Sequence, residues 1–377
     1  MSKAKFLLLF LFMQVNHLNS QLAIGSIEEF FIEHNAYDRR IQIYYPFSNQ
    51  IDKNTKFVIM NDAEELFLEE FNYTTPENSF KQSIVHPEPG VWNWDRVDAF
   101  IDFANSKNIE IRAHGPIGPQ SSTWAKEDSK TVEELTQIYE EFMIELCKKI
   151  NNESNIKWMD VVNETIGSNG DWTDRKDGTN LWENPWTQIG LNDDDIPIYI
   201  VEAFKIAMKH APNIKFVFNQ HGGMQPKMWE RVKSIILYLK SIGLRVDGVG
   251  WQAHLRNNEN LALSKKELDY FSDLVDWTHN HGMEFHVTEI DYRIDSKSLN
   301  SELLEEQANA YANILKILLR KLSNGVITYN TWGLSDGKGK HHDKSRFMYT
   351  KELYEKPIRN ALINALKDPN SPLVIKP

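Results

Sequence analysis

Two glutamates end apolar runs in this chain, Glu164 in WMDVVNE and Glu289 in HVTEID. An acid in that position sits where burial raises its pKa unless neighbours compensate. Two carboxyl groups that meet across one bond are what glycoside cleavage requires, one protonated to assist departure and one ionised to attack or to activate water. Unlike surroundings separate the two roles. Asp291 lies two residues beyond Glu289, on the same face of a strand, and His254 ends another run, so a carboxylate–imidazole–carboxylate chain would hold Glu289 ionised and oriented. Glu164 follows Asn163, whose amide suits a sugar hydroxyl, with Val161 and Val162 keeping the wall apolar. Glu164 is therefore the expected acid/base and Glu289 the expected nucleophile, about 5–5.5 Å apart if the reaction retains configuration. The alternatives are a divalent-cation site or two structural ion pairs. Neither of the two glutamate-bearing runs carries an Asp-x-Asp or His-x-His pair at ligand spacing, so neither a metal nor a cofactor is expected.

Elements that bring such residues together are legible as β-prone runs followed by longer amphipathic stretches, the pattern of an α/β architecture. Eight runs stand out: KFVIMND (56–62), EEFNYTTPEN (69–78), IEIRAHG (109–115), KWMDVVNE (157–164), IKFVFNQ (214–220), DGVGWQAH (247–254), EFHVTEID (284–291) and GVITYNTWG (325–333). Most finish in polar residues: Asn78, His114, Glu164, Asn219 with Gln220, His254, and Glu289 with Asp291. In a closed parallel (β/α)8 TIM barrel these ends converge on one mouth, where active sites are built. Helices are expected over 94–107, 131–150 and 300–322; in the second, Val132, Leu135, Ile138, Tyr139, Phe142, Leu146 and Ile150 share one face. Residues 21–56, including RRIQIYY, read as an N-terminal β extension that caps the barrel, and 57–377 as one catalytic domain without repeats or linkers.

The 377 residues are 41% hydrophobic and 25% charged, enough to bury a substantial core. A formal charge of −11 is opposite to that of a phosphate-tracking surface and argues against nucleic acid as a partner. The single cysteine, Cys147, excludes an intramolecular disulfide and a cysteine-rich metal site. Residues 1–20 have the basic start, short apolar run and polar exit of a secretory signal, too short to span a bilayer. A secreted or periplasmic monomer without a membrane span is expected.

The motifs, taken in order over about residues 57–360, resemble glycoside hydrolase family 10, the retaining endo-β-1,4-xylanases on a (β/α)8 barrel. FNYTTPENSFK looks like the second-strand motif, which implies that Glu77, Asn78 and Lys81 hold sugar on the non-reducing side of the cleavage point. IRAHG supplies His114; WMDVVNE is similar to the acid/base signature with Asn163 and Glu164; GVGWQAH supplies Gln252 and His254. HVTEID is similar to the nucleophile signature with Glu289 and Asp291, and NTWG places Trp332 where the family stacks a sugar ring, with Asn219 as a supporting amide. The implied substrate is a polysaccharide or oligosaccharide of the xylan type.

The chain also departs from the family. HGPIGPQ puts Gly118 and Pro119 where a tryptophan and a second histidine are usual, with Gln120 as the counterpart of the family's glutamine and the loop one residue shorter before Trp124. A second tryptophan is absent from GLSDGKGKHHDKSRF, where His341 and His342 are candidates to fill the space, and the fifth-strand motif is altered to FNQHGG. These changes leave open a different or heavily decorated glycan, and a carbohydrate-binding barrel without turnover. The loop 167–190 offers Trp172, Trp182 and Trp186 as sugar platforms or as anchors. The sequon Asn163-Glu164-Thr165 overlaps the catalytic pair, so a glycan there would block the site.

Overall fold

The computed structural model describes residues 22–28, 30–33, 56–59, 64–119, 131–174, 183–337 and 341–376, with side chains described from residue 66 onward. The expectations for residues 1–20, Gln120, Trp124 and Trp182 lie outside these ranges. Eight strands run parallel: β1 (Leu22–Glu28), β4 (Tyr73–Pro76), β5 (Glu110–Ala113), β6 (Ile156–Asn163), β7 (Lys215–Gln220), β8 (Gly248–Trp251), β10 (Glu284–Asp295) and β11 (Ile327–Thr331). Each pairs with the next in chain order, and β11 pairs with both β10 and β1, so the sheet closes into a barrel. The remaining strands are β2 (Phe30–Glu33), β3 (Lys56–Ile59), β9 (His254–Arg256) and the two-residue β12 (Lys344–Ser345).

One strand differs from expectation. Of the run at 56–62, residues 56–59 form β3, which lies outside the barrel and pairs antiparallel with β2 in a separate two-stranded sheet. The first barrel position belongs to β1, in register with β11 from Leu22↔Ile327 to Ser26↔Thr331 and with β4 from Gly25↔Tyr73 to Glu28↔Pro76. LAIGSIE supplies a seven-residue strand with backbone partners on both sides, whereas KFVI is four residues long and satisfies one edge only.

Helices cover the barrel as the amphipathic pattern requires. They are α1 (Glu64–Glu70), α2 (Gln82–Val85), α3 (Asp95–Lys107), α4 (Val132–Ile150), α5 (Ile198–His210), α6 (Pro226–Ser241), α7 (Lys265–Asn280), α8 (Ser301–Arg320) and α9 (Pro357–Lys367). Helix α4 begins at a complete capping box, Thr131 Oγ1 accepting from the Glu134 N–H while Glu134 accepts from the Thr131 N–H. Its predicted face is buried except at half-buried Ile138 and at its start, where Val132 is 47% exposed.

Inside the barrel, polar side chains occupy space that apolar layers usually fill. Two devices allow this. The first is a pair of β-bulges: one in β6 between Asp160 and Val162, and one in β10 between Val287 and Ile290. A regular strand alternates its faces, so Asp160 and Asn163, or Thr288 and Glu289, could not both turn inward without an irregular residue between or beside them. The second is the glycine pair of β8. A Cβ on Gly250 would stand 2.4 Å from Asn219 Oδ1, and one on Gly248 would stand 2.4 Å from His286 Nε2. Gly250→Ala must displace the Asn219 amide; we expect a loss of roughly 10–100-fold in kcat, the scale of other supporting-residue losses, measured with Tm recorded in parallel. Wild-type kcat in that variant would show that Asn219 can move without consequence.

Candidate active site

At the end of β6 the backbone of Glu164 takes φ +56°, a left-handed conformation that costs a non-glycine residue energy and is typical of functional positions. Its N–H reaches Asn219 O at 3.2 Å, and its Oε1 accepts from Gln252 Nε2 at 2.9 Å and Asn163 Nδ2 at 3.3 Å. Gln252 Nε2 also reaches Asn163 Oδ1 at 3.1 Å. Asn219 Nδ2 donates to that same oxygen at 2.9 Å and to Glu289 Oε1 at 3.0 Å, while Thr288 Oγ1 fixes the other end of the Asn219 amide at 2.8 Å. Three amides thus tie the two glutamates into one network. Ala253, at φ +59°, breaks the expected run 247–254 into β8 and β9, and β9 sets His254 beside Asp291 of β10.

Glu289 is 2% exposed. Its Oε2 lies 3.2 Å from His254 Nε2, and its Oε1 3.7 Å from His114 Nε2. Behind each imidazole stands a carboxylate: His254 Nδ1 meets Asp291 Oδ1 at 2.9 Å, and His114 Nδ1 meets Asp160 Oδ2 at 2.9 Å. Asp291 also accepts from Arg293 Nε at 2.8 Å, and Asp160 from Arg112 Nη1 at 2.9 Å. Lys81 Nζ donates to Asn78 Oδ1 at 3.0 Å; Lys81 Cε and Asn163 Nδ2 each lie 3.7 Å from where a Gly115 Cβ would be. Trp332 stands edge-on to His114 and His254, with ring centroids 5.2 and 5.9 Å away. Glu77, half-buried, lies in the turn after β4.

Charge follows from these contacts. Burial pushes the His254 imidazole down, but Asp291 and Glu289 outweigh it and carry its pKa up to about 9. Burial pushes Asp291 up, but His254 and Arg293 hold it at about 2. Because His254 is raised, its stabilising charge is complete below its unfolded value near 6.5 and is lost as pH rises through 9. Because Asp291 is depressed, its contribution is present above its unfolded value near 3.9 and is lost as pH falls through 2. A Tm-against-pH series should therefore fall on both sides of the interval between about 4 and 6.5; His254→Gln should flatten the alkaline side, and an unchanged alkaline slope would exclude His254 as its source.

At Glu164 neighbours compensate for burial. Burial does push its carboxyl up, but His221, the Gln252 amide, Lys81 and His254 together reverse the direction, and the acid lies below its ordinary value of 4.5. The loop 114–119 is another source of the site's shape. Ile117 O accepts from the Asn163 N–H at 2.8 Å, and a Cβ on Gly118 would come within 2.8 Å of Asn163 O, so this turn is glycine-bound to the end of β6. His341 is half-buried and His342 exposed.

Of the tryptophans in the 167–190 loop, Trp172 and Trp186 read as anchors. Trp186 is fully buried, edge-on to Tyr139 at 5.2 Å. Trp172 donates Nε1–H to Asp195 O at 3.2 Å and carries the Arg231 guanidinium over its ring at 4.7 Å. Sequence reasoning missed Asp160, Arg112 and Thr288. Asp160 stood inside the quoted WMDVVNE, but only the bulge reveals that it shares the interior with Asn163. Among the described residues no group of three or more His, Cys, Asp and Glu side chains is arranged to hold a metal ion, and no helix is long and apolar enough to cross a membrane.

The family model described as glycosyl hydrolase family 10 matches residues 41–365. The chain is 28% identical over 287 residues to endo-1,4-beta-xylanase A of Caldicellulosiruptor saccharolyticus, covering 72% of this chain and 78% of that protein. It is 25% identical over 305 residues to an endo-1,4-beta-xylanase/feruloyl esterase of Xylanibacter ruminicola, covering 74% of this chain and 40% of that longer protein. The fold matches native xylanase 10B of Thermotoga maritima with a TM-score of 0.73 at 21% identity, over 92% of this chain and 95% of that one.

Proposed function

We propose that this chain, which belongs to glycosyl hydrolase family 10, cleaves internal β-1,4 bonds of xylan or a xylan-like polysaccharide with retention of configuration. In this reading Glu289 attacks the anomeric carbon while Glu164 protonates the departing oxygen; water, deprotonated by Glu164, then releases the sugar from Glu289. The observation that carries it is the contrast between the two acids within one amide network. Glu289 faces two imidazoles, at 3.2 and 3.7 Å and each backed by a carboxylate, besides the Asn219 amide, whereas Glu164 has amides alone at hydrogen-bond distance. Lys81, His114, Asn163, Gln252 and His254 hold the sugar at the cleavage point, and Glu77, Asn78 and Trp332 the next unit; Asn219 and Asp291 support. No cofactor takes part.

The test is reducing-sugar release from xylan, with the anomer of the first product followed by NMR. Product formed with β configuration supports the proposal, and an α product overturns retention. A second reading, a decorated or different glycan, draws support from Gly118 and Pro119, which stand where the family usually has a tryptophan and a second histidine. Comparing plain xylan, substituted xylan, mixed-linkage glucan and algal polymers decides between them. Binding without product on every polymer would favour a carbohydrate-binding barrel. We infer further that residues 1–20 direct export and that the mature chain works as a secreted or periplasmic monomer; the N-terminal sequence of the exported protein and its mass in solution test this.

A further inference from the structure

We propose that His286 is a positioning residue for the nucleophilic carboxylate, acting across the barrel interior through Arg112, Asp160 and His114. The inference rests on the reading of Glu289 as nucleophile. His286 lies on β10, three residues before Glu289, and is fully buried, as are Arg112 and Asp160. Arg112 Nη2 reaches His286 Nδ1 at 2.9 Å and Thr328 Oγ1 at 3.0 Å, while Nη1 reaches Asp160 Oδ1 at 2.9 Å. Asp160 Oδ2 grips His114 Nδ1 at 2.9 Å, and His114 Nε2 faces Glu289 Oε1 at 3.7 Å.

The chemistry of these groups gives the chain a direction. A guanidinium only donates, so His286 Nδ1 must accept and its proton belongs on Nε2. Burial and the Arg112 charge both keep the imidazole neutral, which preserves that acceptor. The guanidinium is planar and rigid. With Nη2 fixed by His286 and Thr328, the angle at which Nη1 meets Asp160 is fixed too, and with it the plane of the carboxylate that orients His114. Gly248 leaves the space in which the imidazole lies, since a Cβ there would stand 2.4 Å from Nε2. The charged groups around His286 are Arg112 of β5, Lys215 of β7, Glu284 of its own strand, 3.7 Å from Nε2, and His279 of α7. Around Glu289 they are His114, directly after β5, and His254 of β9, with Asp291 behind the latter.

The experiment compares His286→Asn, whose amide oxygen can stand in for the Nδ1 acceptor, with His286→Leu, which has none. We expect His286→Leu to lower kcat roughly tenfold or more, as losses of orienting partners do, with KM within about twofold and the acid limb of the kcat–pH profile moved upward. His286→Asn should restore most of kcat and the original limb. Equal losses in both variants with an unmoved pH profile would mean that the residue only fills space, and wild-type kcat in His286→Leu would remove the role altogether. If His286→Leu fails to fold, Gly248→Ala, which pushes the imidazole from its seat, decides in its place: the same kcat loss and limb shift support the proposal, and their absence overturns it. Failure of the nucleophile reading is separate, because it appears as absence of azide rescue in Glu289→Ala whatever His286 does.

Discussion

Glu289→Ala will lower xylan hydrolysis by roughly four orders of magnitude or more, the scale seen when a nucleophile is deleted from a cooperating constellation. That is about 5–6 kcal/mol of transition-state stabilisation. The size follows from the surroundings: the vacated place is lined by His114 and His254, and Glu164, held by Gln252 and Asn163, is not among the groups on that carboxylate. A small anion fits where the carboxylate was. Azide should therefore restore turnover of an activated aryl glycoside and give the α-glycosyl azide, because it attacks from the side the enzyme's own nucleophile used. Product NMR identifies the anomer. Unchanged hydrolysis by the variant, or a β-azide, would remove Glu289 from this role.

Glu164→Ala should divide substrates by leaving group. Xylan, whose leaving alkoxide needs a proton, should lose roughly 10²–10⁴-fold in kcat/KM, the range general acid catalysis supplies, while an aryl glycoside with an acidic phenol should lose far less in its first step. Equal losses on both would argue against the acid role. The downward direction of this carboxyl adds a pH prediction. Sugar in the cleft excludes water and separates the acid from Lys81, His221 and His254, which hold it down, while leaving burial, which pushes it up. The alkaline limb of kcat, which reports the complex, should then lie at higher pH than that of kcat/KM, which reports the free enzyme. Coincident limbs would mean that substrate does not change the environment of Glu164.

Much of this site is legible in sequence because each barrel strand spends its apolar residues on the wall and reaches polar ones at the mouth. Asn78, His114, Glu164, Asn219, His254 and Glu289 are found by that change alone. What periodicity does not reveal is the bulges. Alternation assigns Asp160 and Asn163 to opposite faces, and only an irregular β6 lets both turn inward. The charge state of Glu164 was equally out of reach, since it depends on Lys81 and His254, which come from distant parts of the chain. So was the purpose of the glycines in GVGW. They look like weak strand formers until Asn219 and His286 are seen lying across them. The first barrel strand was hidden by position, since LAIGSIE directly follows a segment that reads as a leader, while KFVI has the stronger β composition.

That first strand has a consequence for how the molecule is made. β1 is synthesised before every other strand of the ring, yet one of its two neighbours is β11, the last. Contacts so far apart in sequence incur a large loop-closure cost and form late in folding. The ring can therefore shut only after nearly the whole chain has left the ribosome, and until then β1 and whichever barrel strand was made last each expose an unpaired edge.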